Sequence, residues 1–116
     1  MGYLTDSTID WSAIRDIDEW LDEAVSRDYQ DQPLAQDWAR VAKVGEEYGE
    51  AIAELILMTG QNPRKTQDPA ARERLLMELS DVVFTAILGM QHFTKNTAET
   101  REILQRKLNM IRARIP

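Results

Sequence analysis

Helix caps and helix stops recur along this chain, whereas the period-two alternation typical of strands is nearly absent. Asp10 can cap a first helix that runs to about Val25, and Pro33 suits the first turn of a second helix. The second helix is expected to end near Met58, because Gly60 is a natural stop. The first half of the chain is therefore expected to be helical.

The second half carries the same signals. Asp68 followed by Pro69 predicts the start of a third helix, which extends to about Phe93. Asn96 or Thr97 then begins a fourth helix that runs almost to the end of the sequence. Four helices joined by short loops predict an all-α, four-helix bundle in which neighbouring helices run antiparallel.

Size and charge limit the classes of protein to which the chain can belong. A length of 116 residues predicts one domain over 1–116, with room for a real core. The sequence has no apolar run of the ~20 residues that a membrane span needs, and it starts without a signal-peptide pattern. The net charge of −6 disfavours nucleic-acid binding. We expect a cytoplasmic protein that binds neither nucleic acid nor membrane.

The second helix is amphipathic. Its apolar residues share one side, which is expected to be the core stripe: Trp38, Val41, Gly45, Tyr48, Ile52, Leu55 and Ile56. The opposite side carries the charged residues Lys43, Glu46, Glu47, Glu50 and Glu54. Taken alone, this pattern is typical of a helix with a solvated acidic face.

The third helix places carboxylates inside an apolar run. Apolar residues cover most of its circumference, which predicts burial on most sides. Glu78 and Asp81 interrupt this run three residues apart, and are therefore expected to share a buried face. Buried carboxylates need cations or strong donors. Arg74 is one candidate partner, so a structural ion pair is one interpretation.

A metal site is the other interpretation. Glu47 and Glu50 on one helix, with Glu78 and Asp81 on an antiparallel neighbour, can point four carboxylates into one gap. The acidic side of the second helix would then face the third helix or a second chain. Oxygen ligands alone favour hard cations such as Mg²⁺ or Mn²⁺. A di-iron site is disfavoured, because the sequence has no Glu-x-x-His motif.

Together the two motifs resemble a known signature. "GEEYGE" followed by "ELSD" is similar to the Glu-Glu-x-x-Glu and Glu-x-x-Asp motifs of the MazG-like, all-α nucleoside triphosphate pyrophosphatase superfamily, over about residues 35–93. This resemblance implies Mg²⁺-dependent hydrolysis of a (d)NTP to the monophosphate and pyrophosphate, by water attack at the α-phosphorus. It also implies a homodimer or a dimer of dimers.

The resemblance assigns roles to individual residues. Glu47, Glu50, Glu78 and Asp81 are the implied metal ligands, and Glu46 is the implied catalytic assistant to a metal or a water. Near the end of the last helix it implies phosphate-binding cations, for which Lys107 is the best match and Arg112 and Arg114 are looser matches.

Other candidate substrate contacts come from the residues themselves. Lys43 shares the glutamate side of its helix and can touch phosphate or pair with Glu47. Arg64 and Lys65, in the loop "GQNPRK", can meet phosphate or keep the loop soluble. Asn62 and Trp38 are candidates for base recognition, although the spacing of each tryptophan is also typical of a core or interface residue.

Two rival functions stay open. One is a non-catalytic helical interaction module with a vestigial acidic face. The other is a pyrophosphohydrolase of a specialised nucleotide, such as phosphoribosyl-ATP or an alarmone.

Overall fold

The computed structural model describes residues 9–28 and 32–116. Four helices make up this part of the chain: α1 Trp11–Asp28, α2 Pro33–Thr59, α3 Ala71–Thr94 and α4 Thr97–Arg112. The described residues contain no β-strand. The prediction of an all-α chain with four helices is confirmed. None of the described helices is long and apolar enough to cross a membrane.

The helix ends follow the cap residues of the sequence. The Asp10 carboxylate accepts hydrogen bonds from the backbone N–H of Ser12 (3.1 Å) and of Ala13 (3.2 Å) at the start of α1. At the end of α2, Gly60 takes the left-handed conformation (φ 71°), and its N–H donates to the Ile56 carbonyl. An L side chain is strained in that conformation, which explains why a glycine ends α2.

The boundaries of α3 differ slightly from the prediction. Asp68 accepts a hydrogen bond from the Ala70 backbone N–H (3.0 Å), so a turn precedes the helix, and α3 begins at Ala71. At the other end of α3, Lys95 is left-handed with φ 53°. Asn96 then caps α4 by accepting from the Glu99 backbone N–H (3.1 Å).

The central unit of the fold is α2 packed along α3. Two contacts mark its ends: Nε2 of His92 lies 2.7 Å from the Asp37 carboxylate, and the Arg74 guanidinium donates to Glu54 over 2.9 Å. The first residues of α2 therefore lie beside the last residues of α3. Both α1 and α4 pack mainly on α3.

The expected core stripe of α2 is wrong for the single chain. Trp38 is 76% exposed, and Val41, Tyr48 and Leu55 are also exposed. Ile52 and Ile56 are half-buried, and Gly45 is exposed. The residues of α2 that are buried lie on the opposite side: Arg40, Glu47 and Ala51. The helix turns its acidic side toward α3, so its apolar side is left uncovered by the chain's own described residues.

The expected burial of α3 on most sides is also wrong. Several of its apolar side chains are exposed: Leu76, Met77, Leu79, Val83 and Phe84. Across the described residues, the buried apolar set consists of Ile14, Ala51, Ala71 and Ile87. The apolar circumference of α3 therefore exceeds the surface that α1, α2 and α4 cover.

Candidate metal centre

Three carboxylates from two helices meet in one place. Glu47 and Glu50 of α2 and Glu78 of α3 each offer one oxygen, and these oxygens lie within 4.8 Å of one another. Glu47 is only 9% exposed, Glu78 is half-buried, and Glu50 is exposed. The i, i+3 spacing places the two α2 glutamates on neighbouring positions of one helix face. The acidic side of α2 does face α3, as the metal-site interpretation expects.

Glu78 carries the most informative atom of the cluster. Its Oε2 is buried and has no hydrogen-bond partner. A buried carboxylate oxygen without a donor is costly, and two further carboxylates beside it add repulsion. An all-oxygen donor set of this kind fits a hard divalent cation, which would satisfy the unpartnered oxygen and offset the repulsion.

Asp81, the fourth predicted ligand, is exposed and lies outside this group of three. The expectation that Asp81 shares the buried setting of Glu78 is wrong. The spacing does not explain this, because Glu50 stands in the same i, i+3 relation to Glu47 and does join the group. Its backbone carbonyl accepts a hydrogen bond from Thr85 Oγ1 (2.8 Å). Its role as a metal ligand stays a prediction.

Lys43 borders the cluster. Its ammonium lies 3.2 Å from the Glu46 carboxylate and 3.3 Å from the Glu47 carboxylate. The hydrogen bond from the Lys43 ammonium to Glu46, and to a smaller extent that to Glu47, raises the pKa of Lys43. Of the two predicted uses of Lys43, the i, i+4 pair with Glu47 is formed. Glu46 itself is exposed, so its carboxylate is accessible from solvent.

Arg74 does not neutralise the cluster. Its guanidinium donates to Glu54 over 2.9 Å and to Asp68 over 2.7 Å, and these bonds raise the pKa of Arg74, that to Asp68 the more strongly. The interpretation in which Arg74 pairs with Glu78 or Asp81 is therefore wrong. Arg74 lies one turn before Glu78 on α3. Its bond to Glu54 instead joins the start of α3 to the end of α2.

A cavity of about 400 Å³ adjoins the carboxylates through Lys43. Three helices line it: Leu21 of α1, Ala39, Arg40 and Lys43 of α2, and Thr85 and Leu88 of α3. The wall is mostly apolar and holds two cationic side chains. Both cations are already paired with carboxylates of the chain, Arg40 with Asp18 and Lys43 with Glu46 and Glu47, so the cavity offers mainly apolar contacts to a small organic group.

The other predicted phosphate contacts are exposed. Arg64 and Lys65 lie in the turn after α2, Lys107 lies on α4, and Arg112 and Arg114 lie at its C-terminal end. Within the described residues, none of these cations forms an ion pair with Glu47, Glu50 or Glu78. Their role as phosphate contacts stays a prediction.

The two candidates for base recognition lie apart from each other. The Asn62 side chain accepts a hydrogen bond from the Arg64 backbone N–H (3.0 Å), and so shapes its own turn. Trp38 lines a different cavity with Asp37, Val41 and Phe93. Neither residue lines the cavity that adjoins the carboxylates.

Sequence reasoning missed a second group of charged residues. The carboxylates of Asp18 and Asp22 lie beside His92, close enough for three ligand atoms to share an ion. Cations of the chain already occupy this place: Arg40 donates to the buried Asp18 carboxylate, and Lys95 donates to both aspartates. We interpret the group as an internal ion network instead of a metal site.

The network joins the first three helices. His92 Nδ1 lies 3.0 Å from Asp22 of α1, and His92 Nε2 lies 2.7 Å from Asp37 of α2. The sequence signal for it was that Asp18 follows the buried Ile14 by four residues, which places it on the same side of α1. The partners of that aspartate depend on which helices are adjacent, and the sequence does not specify this.

Comparisons of the chain with protein-family models, with curated proteins and with solved structures find no match.

Proposed function

We propose that the protein is a metal-dependent nucleoside triphosphate pyrophosphohydrolase, which converts a (d)NTP and water into the monophosphate and pyrophosphate. The observation that carries this proposal is the cluster of Glu47, Glu50 and Glu78, in which the Glu78 Oε2 atom is buried without a partner. The resemblance of the two acidic motifs to the MazG-like superfamily supports the same reaction. The mostly apolar cavity beside Lys43 offers room for an organic substrate.

Glu47, Glu50 and Glu78 are proposed to hold Mg²⁺ or Mn²⁺, with Asp81 as a further ligand. When bound, such a cation neutralises triphosphate oxygens and lowers the pKa of a coordinated water. Oxygen ligands from two helices also fix α2 against α3 at this point.

Glu46 is proposed to orient the attacking water and to accept its proton at a carboxylate oxygen, because it is exposed beside the cluster. Lys43 reaches the same place and is proposed to contact the phosphates. More distant phosphate contacts are assigned to Arg64, Lys65, Lys107 and Arg114. Asn62 and Trp38 stay the candidates for base recognition, in both cases only if an assembly brings them to another chain's cluster.

The proposed working form is a cytoplasmic homo-oligomer, in which α2 and α3 form an antiparallel hairpin. The contacts of Asp37 with His92 and of Glu54 with Arg74 support the antiparallel arrangement. An acidic chain with a net charge of −6 is unsuited to nucleic acid or to an anionic membrane.

One observation favours a rival function. Lys43 already pairs with Glu46 and Glu47, so part of the acidic surface is neutralised without a metal. This is what a non-catalytic interaction module with a structural acidic face would show. Such a module would bind divalent cations weakly and would hydrolyse no nucleotide.

Pyrophosphate release separates these functions. A panel of NTPs and dNTPs, which also includes phosphoribosyl-ATP, is incubated with the protein and Mg²⁺ or Mn²⁺. We expect turnover of at least one nucleotide, and a loss of roughly 100-fold or more in Glu78→Gln and Glu50→Gln because each removes a charged ligand. Glu73→Gln, an exposed change on the first turn of α3, is the matched control and should leave turnover unchanged.

Metal binding is measured on the same variants by thermal unfolding. A cation that binds only the folded state raises the unfolding midpoint, and this rise should disappear in Glu78→Gln. Absence of turnover together with absence of a metal-induced rise would refute the proposed function. Turnover of phosphoribosyl-ATP alone would assign the specialised reaction.

A further inference from the structure

Lys43 lies between the two parts of the candidate site. On α2 it follows Ala39 by four residues and Arg40 by three, and with them it lines the cavity of about 400 Å³. It precedes Glu46 and Glu47 by the same two spacings, and its ammonium pairs with both carboxylates. Residues at these spacings are neighbours on one helix surface. One lysine therefore borders the carboxylate cluster on one side and the cavity on the other.

The Glu47 carboxylate takes part in two kinds of contact. It offers an oxygen to the group that it forms with Glu50 and Glu78, and one of its oxygens lies 3.3 Å from the Lys43 ammonium. The Glu47 side chain is only 12% exposed, so little of it is open to further partners. A divalent cation held by the three glutamates would lie close to this ammonium, and like charges at short distance repel each other. Lys43 and the proposed cation therefore compete for Glu47.

The ion pairs of Lys43 are the weaker of the two interactions. The Lys43 side chain is 48% exposed and that of Glu46 is 60% exposed, so water and salt screen their charges. An exposed pair also costs the flexible lysine stem its conformational freedom. Three carboxylates that converge on one cation bind it more strongly, and the cation would satisfy the buried Oε2 atom of Glu78, which lacks a partner beside Lys43. We therefore expect the cation to displace the ammonium.

The displaced side chain can turn toward the cavity that Lys43 already lines. Arg40, the other cation of the cavity wall, is only 7% exposed, and the buried Asp18 carboxylate holds its guanidinium. Release of Lys43 from Glu46 and Glu47 would therefore give the cavity a cation that a negatively charged ligand can use. The four-carbon stem of lysine is flexible enough for this movement without a change in the backbone of α2.

We propose that Lys43 regulates substrate binding at the cluster: it pairs with Glu46 and Glu47 until a divalent cation binds there, and it then turns its ammonium to the phosphates of the substrate. This inference rests on the proposed function, because it needs both the metal site and an anionic substrate. It couples the two binding events, since the ammonium becomes available to phosphate when the cation replaces it at Glu47.

Other roles of Lys43 would affect metal binding differently. An ammonium that only holds Glu47 in position would help the cation to bind, so its removal would weaken metal binding. An ammonium that only contributes to surface solubility would affect neither ligand. In the proposed role, the ammonium opposes the cation and attracts phosphate. Removal of its charge should therefore shift the affinities for metal and for phosphate in opposite directions.

The first measurement is the binding of Mn²⁺ alone to the whole chain, by isothermal titration calorimetry. Lys43→Met keeps a side chain of similar length without the charge, and it should bind Mn²⁺ about fivefold more tightly than the wild type, because no exposed ion pair has to be broken. Lys43→Arg keeps the charge and should bind Mn²⁺ no more tightly than the wild type. Arg106→Met is the matched control: it removes one positive charge from an exposed position of α4 and should leave the Mn²⁺ affinity unchanged.

The second measurement is the binding of inorganic pyrophosphate in the presence of saturating Mn²⁺. Pyrophosphate is a product of the proposed reaction, so the proposed activity does not consume it during the titration. Lys43→Met should bind it about tenfold more weakly than the wild type, because a charged hydrogen bond to phosphate is lost. Lys43→Arg should retain most of the affinity, and Arg106→Met should bind pyrophosphate as the wild type does.

The inference and the proposed function fail through different results. A wild type that binds no Mn²⁺ would refute the metal site, and with it both proposals. A wild type that binds Mn²⁺, beside a Lys43→Met variant that binds it equally well or more weakly, would overturn the inference about Lys43 and leave the proposed function standing. Tighter Mn²⁺ binding with unchanged pyrophosphate binding would also overturn the inference, because the released ammonium would then contact no phosphate.

Discussion

His92 lies where three helices meet, and it shows how individual charges hold this fold together. Both of its ring nitrogens lie within hydrogen-bond distance of carboxylates, Asp22 on α1 and Asp37 on α2. The imidazole thus bridges α1 and α2 through its two ring nitrogens. Arg40 and Lys95 balance aspartates that would otherwise repel one another.

Arg40 is the residue whose loss should destabilise this network most. Asp18 is 1% exposed, and Arg40→Met would remove its buried guanidinium partner. Breaking the buried pair from one side leaves Asp18 with the half-exposed Lys95 ammonium as its remaining cation, so we expect a loss of about 3 kcal/mol in the free energy of unfolding. Urea denaturation measures this loss. The double variant Arg40→Met with Asp18→Leu should recover much of it, and a double variant as unstable as Arg40→Met alone would contradict the account.

The ion pairs of Asp22 predict that the stability of the fold decreases in acid. Burial raises its pKa, but hydrogen bonds from Lys95 and His92 outweigh burial, and the pKa lies below the ordinary value of 3.8. A carboxyl with a depressed folded-state pKa stabilises the fold above its unfolded-state pKa, and this stabilisation is lost as the pH falls below that value. Urea midpoints measured from about pH 6 to about pH 3 should fall less steeply in Asp22→Asn than in the wild type. Parallel profiles would contradict this prediction.

At the scale of the helices, the junction between α3 and α4 combines strain with an ion pair. Lys95 is left-handed (φ 53°), a conformation that disfavours L side chains, yet it places the ammonium at Asp18 and Asp22. Glycine at this position would relieve the strain but remove the ion pair. The network therefore explains why lysine occupies a position that suits glycine.

Two substitutions separate these effects. Lys95→Met removes the charge and keeps the strain, whereas Lys95→Gly removes both. Because the left-handed conformation costs an L residue about 1 kcal/mol, Lys95→Gly should be more stable than Lys95→Met by about that amount. Both variants should be less stable than the wild type in urea denaturation. Equal stability of the two variants would show that position 95 is unstrained.

Helix boundaries were predictable because caps act locally. Asp10, Gly60 and Asn96 each end or begin a helix through bonds to residues within four positions. The start of α3 was misplaced by two residues, since Asp68 bonds within a turn before the helix. These interactions need no knowledge of the neighbouring helices.

The assignment of faces was not predictable in the same way. Hydrophobic periodicity identifies the apolar side of α2, but it does not show whether the same chain covers that side. Trp38 was therefore assigned to a core from which it is absent. The meeting of Glu47, Glu50 and Glu78 was easier to predict, because an acidic motif on each of two helices restricts the sides through which α2 and α3 can pack. Asp81 shows the limit of that argument, since it lies outside the group although its i, i+3 spacing from Glu78 equals that of Glu50 from Glu47.

For the whole molecule, the carboxylate cluster and the exposed apolar side of α2 lie on different sides of that helix. If a second chain of the proposed homo-oligomer covers the apolar side, folding and association are linked by mass action. The thermal midpoint of the wild type should then rise by several degrees for each tenfold increase in protein concentration. Differential scanning calorimetry over a hundredfold concentration range tests this. A midpoint that does not change with concentration would indicate a chain that is stable alone.

The exposed apolar side of α2 also affects how long a newly synthesised chain survives. Until it meets another copy, such a chain displays a long apolar strip on α2, the kind of surface that chaperones and proteases recognise. Its survival would then depend on how many sister chains are made nearby at the same time. Cells that synthesise little of this protein would lose most of it to degradation, and abundance would respond to expression more steeply than in proportion.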